Sequence, residues 1–494
     1  MSANTELPGT VTTQTTQATK ATQATAAEVT GAADPRRWLA LVAVSLATFM
    51  TYLDNNVVNV ALPTIQRELH LSVSGLEWVV SSYLLTLAGL LLAGGRVADV
   101  FGRRRLFMIG LSLFTLSSLA AGLAGNGGEL IASRAVQGVG AALLMPTTLA
   151  IIMASFADAK ERTMAIGVWA AIGALALGLG PVVGGVISQH TRWGWIFLIN
   201  VPVGVVTFAL AIPFVRESRA SSAVRSLDLP GLVTSALALF ALTYALIEGH
   251  DKGWTSALII ASFAAAAALA AIFIVIEARV AHPMVDLQVF RLRQFTGGTA
   301  TMMIWAFGIL GIYFFTSLYL QGIGGFSPVK AGVAFVPMAL VLAVSASIAP
   351  KVETFLSAHR TVALGMAVMA AGLILIVRLG VHVSYADLMP GFILFGAGAG
   401  LMNVPLTNAV MQATPHERAG VASALLNASR EIAGLLGITV IGAILYSREG
   451  SALRSGVSAP QAFVDGYHIG LWVTIALLGA GVILSYVTLR PRTR

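Results

Sequence analysis

The segment GGRVADVFGRRR, residues 94–105, lies between two long apolar runs at residues 76–93 and 106–124. Its aspartate and arginines do not belong in lipid, where an uncompensated charge costs several kcal/mol. We therefore predict a short turn that joins two membrane helices. Three consecutive arginines favour the cytoplasmic side for this turn. Charge alone equally fits a basic anchoring loop, and a further role is favoured by the fixed spacing of Gly95, Asp99 and Gly102.

The composition of the whole chain indicates an integral membrane protein with many spans. Of its 494 residues 57% are hydrophobic and 11% are charged, and the mean hydropathy is +0.83, whereas about 25% of residues are charged in soluble proteins. The net charge of +8 then reflects topology and anionic lipid headgroups, with no nucleic-acid partner implied. The sequence contains no cysteine, no Walker loop and no catalytic or metal-binding constellation, which argues against an ATPase, an enzyme and a metal site.

Residues 1–34 are rich in Thr, Ala and Gln and poor in large apolar side chains, which predicts a disordered tail. The rest of the chain contains fourteen apolar runs of the length that a membrane helix needs. They lie near residues 38–61, 76–97, 105–124, 129–154, 163–188, 194–215, 228–248, 255–279, 296–320, 328–349, 361–380, 386–410, 420–446 and 468–489. An even number of spans puts both termini on one side, and the excess of basic residues on that side predicts that it is the cytoplasm.

An internal repeat predicts two related halves. GVGAALLMP at residues 138–146 and GAGLMNVP at 398–405 each precede a polar turn that contains Glu-Arg. Duplicated halves around a central site are the usual construction of secondary transporters. The long offset between the two copies suggests two additional helices between the halves. The alternative is a chance resemblance between Ala- and Gly-rich spans.

Four charged residues lie well inside the apolar spans, away from the span ends, and such residues are candidate functional groups. Asp54 forms a polar stripe with Thr51 and Asn55 on the first span. Arg134 lies at a matching depth on the fourth span, with Gln137 one turn further on the same face. The alternatives are a solvated helix end for Asp54 and snorkelling to the interface for Arg134.

The remaining two charges, Arg430 and Glu431, lie near the middle of the thirteenth span. Because adjacent helical residues point about 100° apart, we expect only one of them to face a central cavity. In the fifth span, small residues recur around Pro181, which predicts close helix packing and a bend. Such a ridge alone is a general packing feature.

Several of these segments resemble the major facilitator superfamily and, within it, the fourteen-span drug:proton antiporters. The turn at 95–105 is similar to the signature between helices two and three of that superfamily. LDNNVVNVALP at 53–63 resembles the first-helix signature of the fourteen-span group, residues 130–140 resemble the fourth-helix motif, and residues 180–185 resemble the fifth-helix motif of exporters. Asn56 and Glu431 depart from the residues that are usual at their positions.

The resemblance implies an all-α polytopic membrane protein with the major facilitator fold: two six-helix bundles plus two inserted helices. The implied divisions are a tail at 1–34, an N-terminal bundle at 35–220, the inserted pair at 221–285 and a C-terminal bundle at 286–490. It also implies a proton-coupled exporter of amphipathic drug-like or antibiotic molecules that works by rocking alternating access. No cofactor beyond the proton gradient is expected. The expected setting is a monomer in the lipids of a bacterial plasma membrane, with a cationic or zwitterionic small molecule as substrate.

The candidate site residues form four sets. For proton coupling they are Asp54, Arg134 and Glu431. For the substrate cavity they are Asn55, Gln137, Phe307, Tyr313, Phe314 and Met402. For a conformational latch they are Gly95, Asp99, Gly102, Arg103 and Arg104. For helix packing they are Gly180, Pro181, Gly184 and Gly185.

The latch is expected to form when the cytoplasmic side is shut. Gly95 would then let the second helix approach the thirteenth, and Asp99 would interact with the positive end of that helix and with Arg103 or Arg104. Two other functions stay open at this point: export of a lipid-like metabolite on the same scaffold, and a membrane sensor that transports nothing. The role of Glu431 is also open, between a second proton site and a preference for cationic substrates.

Overall fold

The computed structural model describes residues 36–219, 228–281, 283–415 and 418–490. Within these ranges, fourteen helices are long and apolar enough to cross a membrane. In chain order, α1 to α14 are Arg37–Leu69, Val73–Phe101, Arg103–Leu123, Gly127–Ser155, Ala159–His190, Trp195–Phe214, Leu229–Lys252, Ala257–Arg279, Arg293–Ile323, Pro328–Leu356, Ala358–Ile376, Tyr385–Gln412, Val421–Arg454 and Ala459–Thr488. The predicted number of spans is confirmed. The tail predicted at 1–34 lies outside the described residues.

Most helices extend beyond the apolar runs that predicted them. The first helix has 33 residues, about 50 Å at 1.5 Å per residue, and so exceeds a hydrocarbon core of about 30 Å. Hydropathy detects only the part in lipid, whereas the helix continues to His70, whose left-handed φ of 49° ends it. The largest difference is in α14, which begins at Ala459 where the apolar run predicts residue 468.

Side-chain caps start several helices directly after short turns. Ser72 accepts a hydrogen bond from the Gly75 amide at the start of α2, and Asn126 does the same for the Glu129 amide at the start of α4. Ser384 and Asp387 form a reciprocal capping box on α12. Each cap satisfies backbone N–H groups that the helix leaves free, which fixes where the chain re-enters the membrane.

Two six-helix bundles, α1–α6 and α9–α14, flank the inserted pair α7 and α8. The two bundles share a packing device between their third and fourth helices. A Cβ at Gly140 would lie 2.7 Å from the Phe114 amide nitrogen, and one at Gly398 would lie 2.5 Å from the Met369 amide nitrogen. Glycine therefore allows backbone contact at corresponding places in both halves, in the two copies of the repeat that the sequence predicts.

The inserted helices differ in exposure. Of the apolar window of α7, 33% is buried, whereas for α8 the value is 11%. The α7 helix packs against α2 and α13, one helix from each bundle, and α8 packs mainly against α7. An apolar helix with so little protein around it is suited to face lipid.

The two ends of the molecule differ in how the bundles meet. We call the end with the α2–α3 turn and Arg418 the inner end, and the end with the α1–α2 turn the outer end. At the outer end, Ser317 donates to the carbonyl of Asn59 at 2.8 Å and Gln321 donates to the carbonyl of Val60 at 2.9 Å. These bonds join α9 to α1 and close this end.

A cavity of about 1210 Å³ separates the bundles below this closure. It extends from Tyr52 and Glu431, near the middle of their helices, to Asp99 and Arg418 at the inner end. An ion pair of 3.2 Å between Arg418 and Asp286 lies along its wall. The molecule is thus closed at the outer end and has its cavity toward the inner end.

Candidate functional site

A polar cluster around Asp54 is fully enclosed in the N-terminal bundle. The Asp54 Oδ2 atom accepts from Arg134 Nη1 at 2.5 Å, and its Oδ1 atom accepts from Gln137 Nε2 at 2.8 Å and from Asn200 Nδ2 at 3.0 Å. The same Gln137 nitrogen also donates to Ser118 Oγ at 2.7 Å. The side chains of Asp54 and Arg134 have no exposed surface. Helices α1, α4 and α6 therefore meet at one carboxylate, and α3 supplies Ser118, which accepts from Gln137 and Asn200.

All three groups bonded to Asp54 are donors, so the arrangement fits an ionised carboxylate that accepts on both oxygens. Arg134 also donates from Nε to the carbonyl of Val79 at 3.2 Å. Its guanidinium lies 4.3 Å from the ring centroid of Tyr83, a cation–π contact. Its Nη2 atom has no hydrogen-bond partner among the described residues. The pair is compensated internally, and adding a proton to Asp54 would leave Arg134 as a buried unpaired charge.

Some residues of the cluster could be predicted from the sequence, and others could not. Arg134 and Gln137 are three residues apart on α4, a spacing that places both side chains on one face. The sequence reading missed Asn200 and Ser118 as site residues. Each is a small polar group in an apolar helix, and nothing in the sequence indicates that Asn200 bonds Asp54 or that Ser118 bonds Gln137.

A second ion pair lies on the wall of the cavity. Arg430 Nη2 is 2.7 Å from Glu431 Oε1, and both residues line the cavity. The expectation that only one of them faces the cavity is wrong. The long arginine side chain folds along the helix surface and so spans the 100° between adjacent positions. Tyr52, on the facing α1 helix, interacts with Arg430 and was also missed from the sequence.

The inner turn contains the residues predicted to form a latch. Arg103 binds the Asp99 carboxylate at 2.8 Å. Gly102 has a φ of +115°, which favours glycine. A Cβ there would also lie 2.6 Å from Glu217 Oε1. The Glu217 carboxylate accepts from the amides of Arg104 and Arg105, at 3.1 and 3.2 Å, and thereby caps α3. Glu217 is a further residue that the sequence reading missed.

The predicted approach of Gly95 to the thirteenth helix is not present in this conformation. A Cβ at Gly95 would lie 3.5 Å from Pro146 of α4, and Gly95 itself lines the cavity. The cavity separates α2 from the inner half of α13, so Asp99 has only Arg103 as its ion-pair partner among the described residues. The latch contacts remain a prediction for a state closed at the inner end.

The small residues of α5 pack against both bundles near the outer end. A Cβ at Gly180 would lie 2.5 Å from the Asn56 Cβ of α1, and one at Gly184 would lie 2.5 Å from the Val57 carbonyl. A Cβ at Gly185 would lie 2.5 Å from the Pro328 carbonyl of α10. Gly332 of α10 faces the carbonyl of Pro181 in turn. This ridge is therefore part of the closed outer end.

Residues 44–438 match the family model of the Major Facilitator Superfamily. The chain belongs to this superfamily. As a major facilitator protein it is a multi-pass membrane transporter, and the expectation of a transporter in place of an enzyme is confirmed.

Its relatives in the superfamily are resistance and export proteins. The chain is 37% identical over 409 residues to the multidrug resistance protein Stp of Mycobacterium tuberculosis, covering 82% of this chain and 75% of Stp. It is 35% identical to a puromycin resistance protein of Streptomyces alboniger, with 93% of each chain covered. It is also 33% identical to a tetracenomycin C resistance and export protein of Streptomyces glaucescens, covering 88% of this chain and 82% of the relative.

Solved structures with similar folds agree with the architecture. A bacterial homolog of the human lysosomal transporter Spinster, in an inward-facing and unoccupied conformation, aligns with a TM-score of 0.65 at 17% identity, covering 92% of this chain and 98% of that one. An auto-inhibited POT family peptide transporter aligns with a TM-score of 0.68 at 13% identity, covering 93% and 98%. At these identities the likeness shows the major facilitator fold alone.

The cavity of this major facilitator protein is lined by residues other than those predicted. None of the predicted set lines it, namely Asn55, Gln137, Phe307, Tyr313, Phe314 and Met402. Tyr313 stacks on Phe335 at 4.8 Å, and Met402 is fully buried against Gly365. The aromatic and Met side chains fill the core of the C-terminal bundle, where apolar area is removed from both lipid and water.

The walls of the cavity combine polar and large apolar side chains. Trp169 donates from Nε1 to Thr48 Oγ1 at 2.6 Å, and both residues line the cavity. Met145, Met153 and Met284 line it as well. Flexible methionines suit an apolar surface that adapts to its contents. The sequence offers no signal that separates these residues from ordinary packing.

Proposed function

We propose that this protein is a proton-coupled exporter of amphipathic, drug-like or antibiotic molecules. In this proposal it works by rocking alternating access, as a monomer, without a cofactor, on the energy of the proton gradient. The observation that carries the proposal is the buried Asp54 carboxylate with its ion-pair partner Arg134. The resistance and export proteins to which the chain is similar support the export direction.

Asp54 is suited to carry a proton because its hydrogen bonds and its ion pair with Arg134 stabilise the charged form and not the neutral form. As a carboxylate it accepts three donated hydrogen bonds and neutralises Arg134. As a neutral acid it leaves the guanidinium unpaired in an apolar interior, which costs several kcal/mol. The N-terminal bundle must then rearrange around Arg134. A proton can thus bias one conformation over another, since it has different affinities for the two.

The cycle follows from the position of the cavity. With the outer end closed and Asp54 ionised, a substrate enters from the inner end. The substrate-loaded protein then opens outward, where substrate leaves and Asp54 takes up a proton. The protonated form returns to the inward-open conformation, and loss of the proton to the inside restores the pair with Arg134.

The orientation and the substrate class are parts of the same proposal. The inner end carries Arg103, Arg104 and Arg105, which favours a cytoplasmic position for this end and for both termini in a bacterial plasma membrane. A cavity of about 1210 Å³ is large enough for a drug-sized molecule. Its charged pair, Arg430 and Glu431, offers both signs of charge, which supports cationic or zwitterionic amphipathic substrates.

The test is drug efflux in proteoliposomes with an imposed pH gradient. Asp54→Asn keeps the size and the acceptor oxygen of the side chain but cannot bind a proton. We expect gradient-driven efflux to be lost while downhill exchange of the drug continues. The matched control is Glu68→Gln, an exposed acid at the end of the same helix, which should transport normally. Undiminished gradient-driven efflux by Asp54→Asn would contradict the proton-carrier role.

A further inference from the structure

The buried carboxyl of Glu77 lies outside the cluster and the cavity described above. It is near the outer end of α2 and is 2% exposed. Its Oε1 atom occupies the space that a Cβ at Gly442 of α13 would need. The same atom has no hydrogen-bond partner among the described residues. Phe315 of α9 borders the contact, with its Cζ 3.1 Å from that Cβ position.

The contact between Glu77 and Gly442 lies in the interface between the two bundles, and we call this part of the interface the seam. Glu77 belongs to the N-terminal bundle, whereas Gly442 and Phe315 belong to the C-terminal bundle. The bonds of Ser317 and Gln321 to α1 close the same outer end. Opening that end requires α2 to separate from α13, and the separation would bring the Glu77 carboxyl into contact with the outer solution.

The charged and titratable groups around the seam do not compensate a negative charge on Glu77. From α7, Asp251 acts on Glu77 by like-charge repulsion, and Glu248 is bound by Trp78 and Lys252. The other titratable and charged groups near this region, from α7, α13 and α4, are His250, Tyr446, Glu449 and Arg134.

The basic groups in this set make contacts with residues other than Glu77. His250 lies over Tyr446, with ring centroids 6.4 Å apart. Arg134 is bonded to Asp54 and to the Val79 carbonyl. No ion pair joins Glu77 to a basic group in the part of the chain that the structure describes. An ionised carboxylate here would carry an uncompensated desolvation penalty, so the closed seam selects the neutral acid.

We propose that Glu77 is a proton-operated gate for the outer end: it is protonated while the seam is closed and ionises when the seam opens. Acid on the outer side then favours closure, because the proton has a higher affinity for the closed conformation. This inference goes beyond the proposed export function. Glu77 does not line the inner cavity, so its proton returns to the side from which it came and regulates the cycle without driving it.

The test measures conformation and does not depend on transport. The chain has no cysteine, so labels can be placed at Glu68→Cys and Ser455→Cys, two exposed positions at the outer ends of α1 and α13. Electron–electron spin distances are measured in nanodiscs between pH 5 and pH 9. Asp54→Asn is included in every protein so that the coupling proton does not contribute.

In this background the ratio of outer-open to outer-closed molecules should rise with pH, by up to tenfold per unit for one linked proton. Glu77→Gln should remove most of that rise and keep the outer end closed. Glu77→Asp, which still titrates, should retain it. Glu248→Gln, which changes a bonded acid nearby, is the control and should leave the rise unchanged.

Each outcome decides the matter. A pH dependence that survives in Glu77→Gln would overturn the gate, as would equal losses in the Gln and Asp variants, since those indicate a packing role. Elution as a single monodisperse peak verifies that each variant is folded. Gly442→Ala provides a separate check, because its methyl group displaces the carboxyl and should open the outer end at all pH values. Failure of Asp54→Asn to impair transport would remove the export mechanism but leave these distance measurements valid.

Discussion

Two of the ion pairs of this protein, Asp54–Arg134 and Arg430–Glu431, have nearly the same length but very different surroundings. Their N···O distances are 2.5 and 2.7 Å. The first pair has no exposed side-chain surface, whereas the Arg430 side chain is 26% exposed toward the cavity. The first joins two helices of one bundle, and the second joins neighbours on one helix. We therefore expect the fold to depend on the first pair, and the second pair to contact a ligand in the cavity.

The largest expected effect comes from breaking the enclosed pair. Arg134→Met leaves Asp54 without its cation, and removal of one partner of a buried pair costs about 3–5 kcal/mol. Arg430→Met should cost less, because the Arg430 side chain is 26% exposed and Glu431, although only 7% exposed, borders the cavity. Thermal unfolding of the purified variants in detergent measures both.

The double variant Asp54→Asn with Arg134→Gln is the control for this comparison. It leaves no unpaired charge in the bundle, so it should recover a large part of the stability that Arg134→Met loses. Equal destabilisation by Arg134→Met and Arg430→Met would show that the two pairs do not differ as proposed.

An intermediate loss of stability is expected at the two glycines that pack in the same way in the two bundles. Gly140→Ala and Gly398→Ala each place a methyl group against a backbone nitrogen of the third helix of their bundle. Overpacking of this kind costs about 1–3 kcal/mol, and we expect similar losses in the two halves. Unfolding temperature is the measurement.

Each half supplies its own control for these substitutions. Gly167 in α5 and Gly479 in α14 have no atom within 4 Å of a built Cβ, so alanine there should be neutral or stabilise by about 0.5–1 kcal/mol. A large loss at Gly140 with none at Gly398 would indicate that the repeat does not correspond to equivalent packing.

The smallest expected effect concerns selectivity. Glu431→Gln removes the negative charge of the cavity-lining pair while Asp54 and its partners stay intact. Loss of one charged contact of about 1.4 kcal/mol corresponds to tenfold weaker binding, so efflux of a cationic dye should fall by about that factor. Efflux of a neutral substrate should change little. The ratio of the two rates in vesicles is the measurement, and an equal fall of both would favour the second-proton-site reading of Glu431.

Much of the fold was predictable because the membrane imposes strong constraints on sequence. Runs of about 20 apolar residues have few structures available in lipid other than a helix, so the number of spans follows from hydropathy. The charges at 54, 134, 430 and 431 were also visible, since such residues are rare in spans. Helix ends were less accurate, because polar extensions such as the end of α1 at Leu69 lie beyond the lipid and leave no hydropathy signal.

The site was predictable only in part. Asp54 and Arg134 stood out as charges, but Asn200 and Ser118 did not, because uncharged polar residues also occur in membrane helices as ordinary interhelical contacts. The apolar candidates Phe307 and Tyr313 lie in the core of the C-terminal bundle, whereas the cavity is lined by residues such as Trp169 and Met145. An aromatic side chain has the same hydropathy in either place.

By itself, therefore, the sequence determined the class of protein, its fourteen membrane helices, the turn at 94–105 and the charges that are costly to bury. The tertiary structure alone decided which helices bring their polar groups to Asp54, that both Arg430 and Glu431 face the cavity, and that Glu77 closes a seam against Gly442. The physical reason is that lipid and protein interior are both apolar. Hydropathy along one helix records that a side chain avoids water, and only the packing of other helices determines whether it contacts lipid, a core, a cavity or a partner charge.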